Sequence, residues 1–340
     1  MAGRKNVTIH DVAARVGVSP MTVSNVLSQN TARRKHVSEE TRARVLEAVR
    51  LLKYRPNANA ISLRRKRTNI IGLFGGYGYV NAENAFLATI LGGLQAACDR
   101  YEKDLLVHGT FRGGAVSDIF SEVADGRIDG LILYTSRNHP LVEMLAESAL
   151  SVVAITDAVP FFPSVLVDDR LGGRMQADHL AERGHHRVVA ITSKSAAVMR
   201  SVSDRLEGFL ERATSYGMEV LIRAVAHSGN APHITEADLD WLSLPAEIRP
   251  TAAVCWNDLT AYDLLGCCFH MGVRVPEELA IVGFDGVMSS RGIYRRLTTV
   301  RAPWSEVAST AVKVLIDVME GSDVPQETVL QGQFIIGDTT

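Results

Sequence analysis

From Asn69 onward the chain alternates short continuous apolar runs with segments of helix length, and this alternation restricts its fold more than any other feature. The runs are NIIGLF, KDLLVHG, IDGLILY, LSVVAIT, HRVVAIT, TAAVCW and ELAIVGFD. A strand with one face in water alternates apolar and polar residues, whereas a strand covered on both faces is apolar throughout. Parallel strands joined by helical crossovers meet that condition, so seven buried strands in parallel sheets, with helices on both faces, are expected over residues 69–340. Ligands of such folds sit beyond the carboxyl ends of the strands. Polar residues just after the runs are therefore the ones to inspect.

The first 67 residues follow a different pattern. Thr8 can cap a helix, with Asp11 at its third position and Val12, Ala13 and Val16 on one face, and Gly17 ends it. Ser19 and Pro20 form an N-cap with proline at the first helical position, and Val23, Val26 and Leu27 supply the next buried stripe. Ser38, followed by Glu39 and Glu40, opens a third helix in which Val45, Leu46, Val49 and Leu52 recur, and Tyr54-Arg55-Pro56-Asn57 stops it. Charge separates the two regions. The net −2 of the chain divides into +11 over residues 1–67 and −13 over the remainder. A polyanion is attracted to the first region and repelled by the second, so nucleic-acid contact is confined to the N-terminal fifth. The outward face of the second helix carries Pro20, Met21, Thr22, Ser24 and Asn25, side chains short and polar enough to approach phosphates and base edges.

Other classes of protein are disfavoured. No apolar run reaches the ~18 residues of a membrane span, and MAGRKNVTIH carries no apolar stretch of a secretory leader, so a cytoplasmic, nucleoid-associated protein is expected. Cys98, Cys255, Cys267 and Cys268 lack zinc-site spacing and read as small buried thiols. Gly75, Gly76 and Gly78 follow the first apolar run, but without the spacing of a dinucleotide-binding loop. His185 and His186, adjacent on a short loop, read as a solvated turn rather than metal ligands. No metal, no cofactor and no catalytic set is expected, and an enzyme is the weaker reading. A transport-type sugar-binding protein shares the α/β architecture but not the basic N-terminal region.

VTIHDVAARVGVSPMTVSNVLS and HVSEETRARVLEAVRLLKYRPNANAISLRR resemble the DNA-binding headpiece and hinge of the lactose repressor family, with a longer loop from Ser28 to Lys35. VDDRLGGRMQADHLAERGHHRVVAI, DRLEGF, WNDLTAYDLLGCCFHMGVRVPEELAIVGFDG and RLTTVRAPWSEVA extend the resemblance to about residue 336. It implies an all-α helix-turn-helix headpiece over 1–56, a hinge helix or linker over 57–68, and a periplasmic-binding-protein-like core of two parallel-sheet subdomains over 69–340. In the headpiece it implies that Pro20, Met21 and Asn25 face bases and that Ser19, Thr22 and Ser24 face phosphates, with Thr8, His36 and Asn57 as further DNA contacts. Leu63 would wedge into the minor groove beside Arg64. In the core it implies an effector cleft lined by Asp157, Arg205, Asn257 and Asp285, a set suited to a sugar or polyol. Tyr77, Phe86 and Trp256 are candidates for its apolar face, with core packing as the alternative. Asp168 and Asp169 are expected as helix caps. The implied function is a repressor that binds double-stranded operator DNA as a homodimer under control of a small molecule, without a membrane.

Overall fold

A computed structural model describes residues 7–27, 37–56, 67–76, 84–108, 115–194, 199–228, 231–287 and 295–340. The chain divides into two compact units, Met1–Thr68 and Asn69–Thr340.

The first unit holds α1 (Ile9–Val16), α2 (Pro20–Leu27) and α3 (Glu39–Leu52). At α1 the Thr8 N–H and hydroxyl donate to Asp11 Oδ2 at 2.7 and 2.8 Å, while Asp11 N–H donates back to Thr8 Oγ1, which closes a capping box. Gly17 then turns the chain at φ 72°, a conformation that costs a side-chain-bearing residue more. Ser19 Oγ accepts from Thr22 N–H at 3.1 Å, as the expected cap of α2. Val12, Ala13, Val16, Val23, Val26, Val45 and Ala48 form the small core. Leu46 does not join it: it is 44% exposed, because Ala48, Val49 and Leu52 follow Val45 on the inward face at helical spacing and Leu46 lies about 100° away. Arg44 Nη2 donates to the Val16 carbonyl at 2.7 Å and ties α3 to the end of α1. The expected hinge helix over 57–68 falls almost wholly outside the described residues.

The second unit contains β1 (Ile70–Gly75), α4 (Ala85–Arg100), β2 (Asp104–His108), α5 (Val116–Val123), β3 (Gly130–Tyr134), α6 (Leu141–Ala146), β4 (Ser151–Ile155) and β5 (Ser164–Val167). It continues with α7 (Asp169–Glu182), β6 (Arg187–Ser193), α8 (Arg200–Ser215), β7 (Glu219–Ser228), β8 (Ala231–His233), β9 (Ala252–Cys255), α9 (Asp258–Met271) and β10 (Ala280–Asp285). The last elements are β11 (Thr298–Arg301), α10 (Trp304–Met319), β12 (Glu327–Leu330) and β13 (Gln333–Ile335). They form two sheets, ordered β12-β5-β4-β3-β1-β2 and β13-β11-β10-β9-β6-β7-β8. The first is parallel throughout, and the second is parallel except at its two edges, where β13 and β8 run antiparallel.

The seven apolar runs became β1, β2, β3, β4, β6, β9 and β10. Six further strands were not legible as runs, for physical reasons. β5, β8, β11, β12 and β13 span only three or four residues, and β7 has solvent along one side, so its inward and outward positions alternate. The chain passes between the sheets three times, from β5 into α7, from β11 into α10, and from β12 to β13. Each sheet with its helices is a subdomain, and the three crossovers join them.

Candidate functional site

The carboxyl ends of the strands in the two sheets face each other, since residues just beyond β4 and at the start of α8 are bonded across the gap. Asp157 Oδ1 accepts from Ser201 N–H at 2.7 Å. Arg200 Nη1 reaches Glu327 Oε1 on β12 at 2.8 Å. Thr156, Asp157, Asp169, Arg200, Ser201 and Glu327 border a pocket of about 300 Å³, the size of a small-molecule site.

Arg205 is the electrostatic centre. Its side chain is buried, with the guanidinium carbon 3.7 Å above the Phe284 ring. Nε donates to Asp169 Oδ1 at 2.7 Å, and Nη1 donates to the Trp256 carbonyl at 2.7 Å and to Asp285 Oδ1 at 3.3 Å. Asp157, Asp169 and Asp285 are all buried around this one guanidinium. Burial works against the Arg205 charge, but Asp169, Asp285 and Asp157 outweigh it and raise its pKa. Burial also pushes the Asp169 carboxyl up to about 7; Arg205 pulls it back, while Asp157 and Asp285 push the same way as burial. Asp285 rises to about 6, again through burial, with Arg205 opposing. Carboxylates crowded in this way resist full ionisation, a property that concentrates at binding and catalytic sites.

Backbone strain marks the same region. Thr156 is a β-branched residue at φ 71°, and Asp285 stands at φ 117°, both in territory that favours glycine. The Oγ1 atoms of Thr135, Thr156 and Thr192 and Nε1 of Trp304 are buried and find no partner among the described residues. All four lie just at or beyond the carboxyl ends of β3, β4, β6 and β11. A buried polar group left unbonded costs about 1–3 kcal/mol.

The sequence-predicted residues divide accordingly. Asp157 lines this pocket; Arg205, Trp256 and Asp285 lie behind its lining residue Asp169, joined to one another by the Arg205 hydrogen bonds. Asn257 adjoins them as the cap of α9, its Oδ1 accepting from Thr260 N–H at 2.8 Å while Nδ2 is not used in that bond. Phe86 packs in the first subdomain, edge-on to Trp304 at 4.8 Å and tilted against Tyr134 at 5.9 Å. Tyr77, His36, Asn57, Leu63 and Arg64 lie outside the described residues. Asp168 is a cap, accepting from Leu171 N–H at 2.9 Å. Asp169 is not: its carboxylate turns inward to Arg205 on α8, which packs against this side of α7. Asp258, unremarked in the sequence, is fully buried, bonded to Thr299 Oγ1 at 2.6 Å and Val287 N–H at 2.7 Å. His185 is also no free turn residue, since its Nδ1 lies 2.9 Å from Thr251 Oγ1. Ser201, Thr156 and Trp304 were missed; only their places at strand and helix ends could have pointed to them. In the first unit, Met21 is 64% exposed on α2, Pro20, Thr22, Ser24 and Asn25 are half-buried beside it, and the Thr8 hydroxyl is engaged in its cap.

Residues 8–57 match the family described as bacterial regulatory proteins, lacI family, and residues 177–340 match a periplasmic binding protein-like domain. The HTH-type transcriptional repressor PurR of Aliivibrio fischeri (strain MJ11) is 30% identical over 327 residues, 93% of each chain. The crystal structure of the Lac repressor dimer bound to operator and the anti-inducer ONPF superposes with a TM-score of 0.80 at 23% identity, covering 98% of this chain and 99% of that one. A complex of the transcriptional regulator CelR with cellobiose gives 0.65 at 23% identity, covering 98% and 100%. A helix-turn-helix unit with a polar outward helix, joined to a two-subdomain α/β unit with a charged cleft, is the plan of a DNA-binding regulator. Among the described residues, no helix is long and apolar enough to cross a membrane. The chain belongs to the lacI family of bacterial regulatory proteins and is a transcriptional regulator.

Proposed function

We infer that this regulator is a repressor that binds a pseudo-palindromic operator as a homodimer and is controlled by a small polar molecule, a sugar or sugar derivative, held between its subdomains. The observation that carries this reading is the buried Arg205 cluster, with Asp157 bonded across the cleft to α8. A guanidinium and carboxylates held apart by fixed partners can bracket vicinal hydroxyls with charge-assisted hydrogen bonds. Asp157, Arg205, Asn257 and Asp285 would bind those hydroxyls, and Trp256 would cover the apolar side. Phe86 and Tyr77 complete that side in the sequence-based reading. We read the cleft as a binding site rather than an active centre, because it pairs Arg205 with Asp169 in a fixed ion pair and the chain's relatives are transcriptional regulators.

On the DNA side, Pro20, Met21 and Asn25 would face bases and Ser19, Thr22 and Ser24 phosphates. Thr8, His36 and Asn57 add contacts, and the segment 57–68, with Leu63 and Arg64, serves as the minor-groove hinge. A molecule that favours one angle between the subdomains would shift operator affinity by linkage, typically by about 1–3 kcal/mol. A protein acting on DNA in this way works in the cytoplasm.

The test is a thermal-shift screen of the full-length protein against monosaccharides, sugar acids, polyols and nucleobases, with hits retested for affinity to an operator obtained by in vitro selection. At 100 times its dissociation constant a ligand stabilises by about 2.7 kcal/mol. For a unit of this size that raises Tm by roughly 5–10 °C. A hit abolished by Arg205→Ala or Asp285→Ala and changing operator affinity supports the reading. Hits indifferent to both substitutions place the ligand elsewhere.

A further inference from the structure

Asp169 occupies a place that a helix cap does not explain. It is the first residue of α7, two residues after β5, at one of the three crossovers between the subdomains. Its carboxylate is buried and holds the Nε edge of Arg205 at 2.7 Å. The remaining bonds of Arg205 within the described residues use Nη1, on the opposite side of the guanidinium from Nε, so the group is pinned from two sides and Nη2 is the nitrogen these contacts leave for a ligand.

The helices that carry the pair cannot slide freely. A Cβ on Gly173 would lie 2.1 Å from the Arg205 carbonyl oxygen, and one on Gly208 would lie 2.1 Å from the Arg170 carbonyl oxygen. Backbone thus rests on backbone on both sides of the ion pair. A displacement of Arg205 must therefore move α7 or break its bond to Asp169, and α7 begins at the crossover. There Asp168 holds Leu171 N–H through its side chain and Gly172 N–H through its carbonyl.

We propose that Asp169 is a positioning residue of the cleft: it presents the Nη2 edge of Arg205 to the bound molecule and conveys the state of that guanidinium to the crossover that sets the angle between subdomains. The proposal rests on the reading of the cleft given above. The charged groups facing Asp169 are Arg205 from α8, Asp157 beyond β4 and Asp285 at the end of β10, so the cluster holds more negative than positive charge among the described residues. Its carboxyl, raised to about 7, takes up a proton more readily in this cluster than in water. Protonation therefore favours the closed cluster, and the crossover loosens as pH rises through neutrality.

Hydrogen exchange of the ligand-free, full-length protein tests this without an identified effector. After correction for intrinsic rates, the protection of the Leu171 and Gly172 amides should fall several-fold between pH 6 and pH 8 in the wild type. Asp169→Asn, which keeps an oxygen for Nε but loses the charge, should shrink that step to the part contributed by Asp285. Arg205→Lys, which keeps the charge but loses the fork, should speed exchange of the same amides at least fivefold, and Asp169→Ala/Arg205→Lys should be no faster than the faster single variant. An undiminished pH step in Asp169→Asn, additive effects in the double variant, or a crossover indifferent to Arg205→Lys would overturn the proposal. Because no ligand is present, such a result would leave the cleft reading standing, whereas failure of the ligand screen would remove the ligand-presenting role of Asp169 and leave its hold on the crossover to this measurement.

Discussion

Replacing Gly173 by alanine would put a methyl carbon 2.1 Å from the Arg205 carbonyl oxygen and 2.7 Å from Phe209 N, where ordinary contact begins near 3.4 Å. Both neighbours are backbone atoms of α8, so no rotamer change can make room. The helices must separate by roughly 1.3 Å, or α7 must tilt, and either loosens the buried bond between Asp169 and Arg205. Overpacking of this kind costs about 1–3 kcal/mol, and the upper end applies where backbone meets backbone. Alanine returns about 1 kcal/mol through helix propensity. The net loss is therefore about 2 kcal/mol, which lowers Tm by roughly 4–8 °C. Gly266, within α9, is the control: nothing lies within 4 Å of its added Cβ, so Gly266→Ala retains the propensity gain and should raise Tm by roughly 2–4 °C. Differential scanning calorimetry of the two variants beside the wild type decides the matter. If Gly173→Ala raises Tm as Gly266→Ala does, α7 and α8 are not in backbone contact and the argument built on that contact falls.

The pH dependence of stability should show two opposed components. Asp169 and Asp285, raised to about 7 and about 6, stabilise most below the unfolded carboxylate range near 4 and lose that contribution as pH climbs to about 7, so Asp169→Asn should flatten the decline of Tm between pH 5 and pH 8. Buried His179, pushed down to about 4 chiefly by desolvation, acts the other way: the unfolded chain takes up a proton below about 6.5 and the folded one resists. His179→Gln should therefore reduce the loss of Tm between pH 6.5 and pH 4.5. Thr8→Ala removes a capping box worth about 1 kcal/mol, so amides of α1 should exchange about fivefold faster in the full-length protein. Asparagine pairs with adenine and arginine with guanine, so selection of operator sequences with Asn25→Arg should move one position of each half-site from A·T to G·C; an unchanged preference would remove Asn25 from the base-reading set. Leu63→Ala should weaken specific binding far more than binding to bulk DNA, whereas equal losses would make residues 57–68 a plain linker.

What the sequence determined by itself is whatever local chemistry or periodicity enforces. The caps at Thr8, Ser19, Ser38 and Asp168, the turn at Gly17, seven strands and the charge division at the end of the first unit could be read because each depends on residues within one turn or one run, although β2, expected to be buried, is a partly exposed edge strand. Asp157, Arg205, Asn257, Trp256 and Asp285 were reached through position after a strand together with family motifs, and their convergence needed the fold. Tertiary structure alone decided which partner each one takes. Adjacent Asp168 and Asp169 differ in role only because α8 lies against one side of α7, at a distance set by Gly173 and Gly208. Five short strands escaped notice because three or four residues carry too little periodicity, and some were fixed by pairing with neighbours far away in sequence, as β12 is with β5. The cleft's charge balance belongs to that second category: one guanidinium among three carboxylates is a property of packing between α7, α8, β10 and the segment beyond β4, and no run of the sequence contains it.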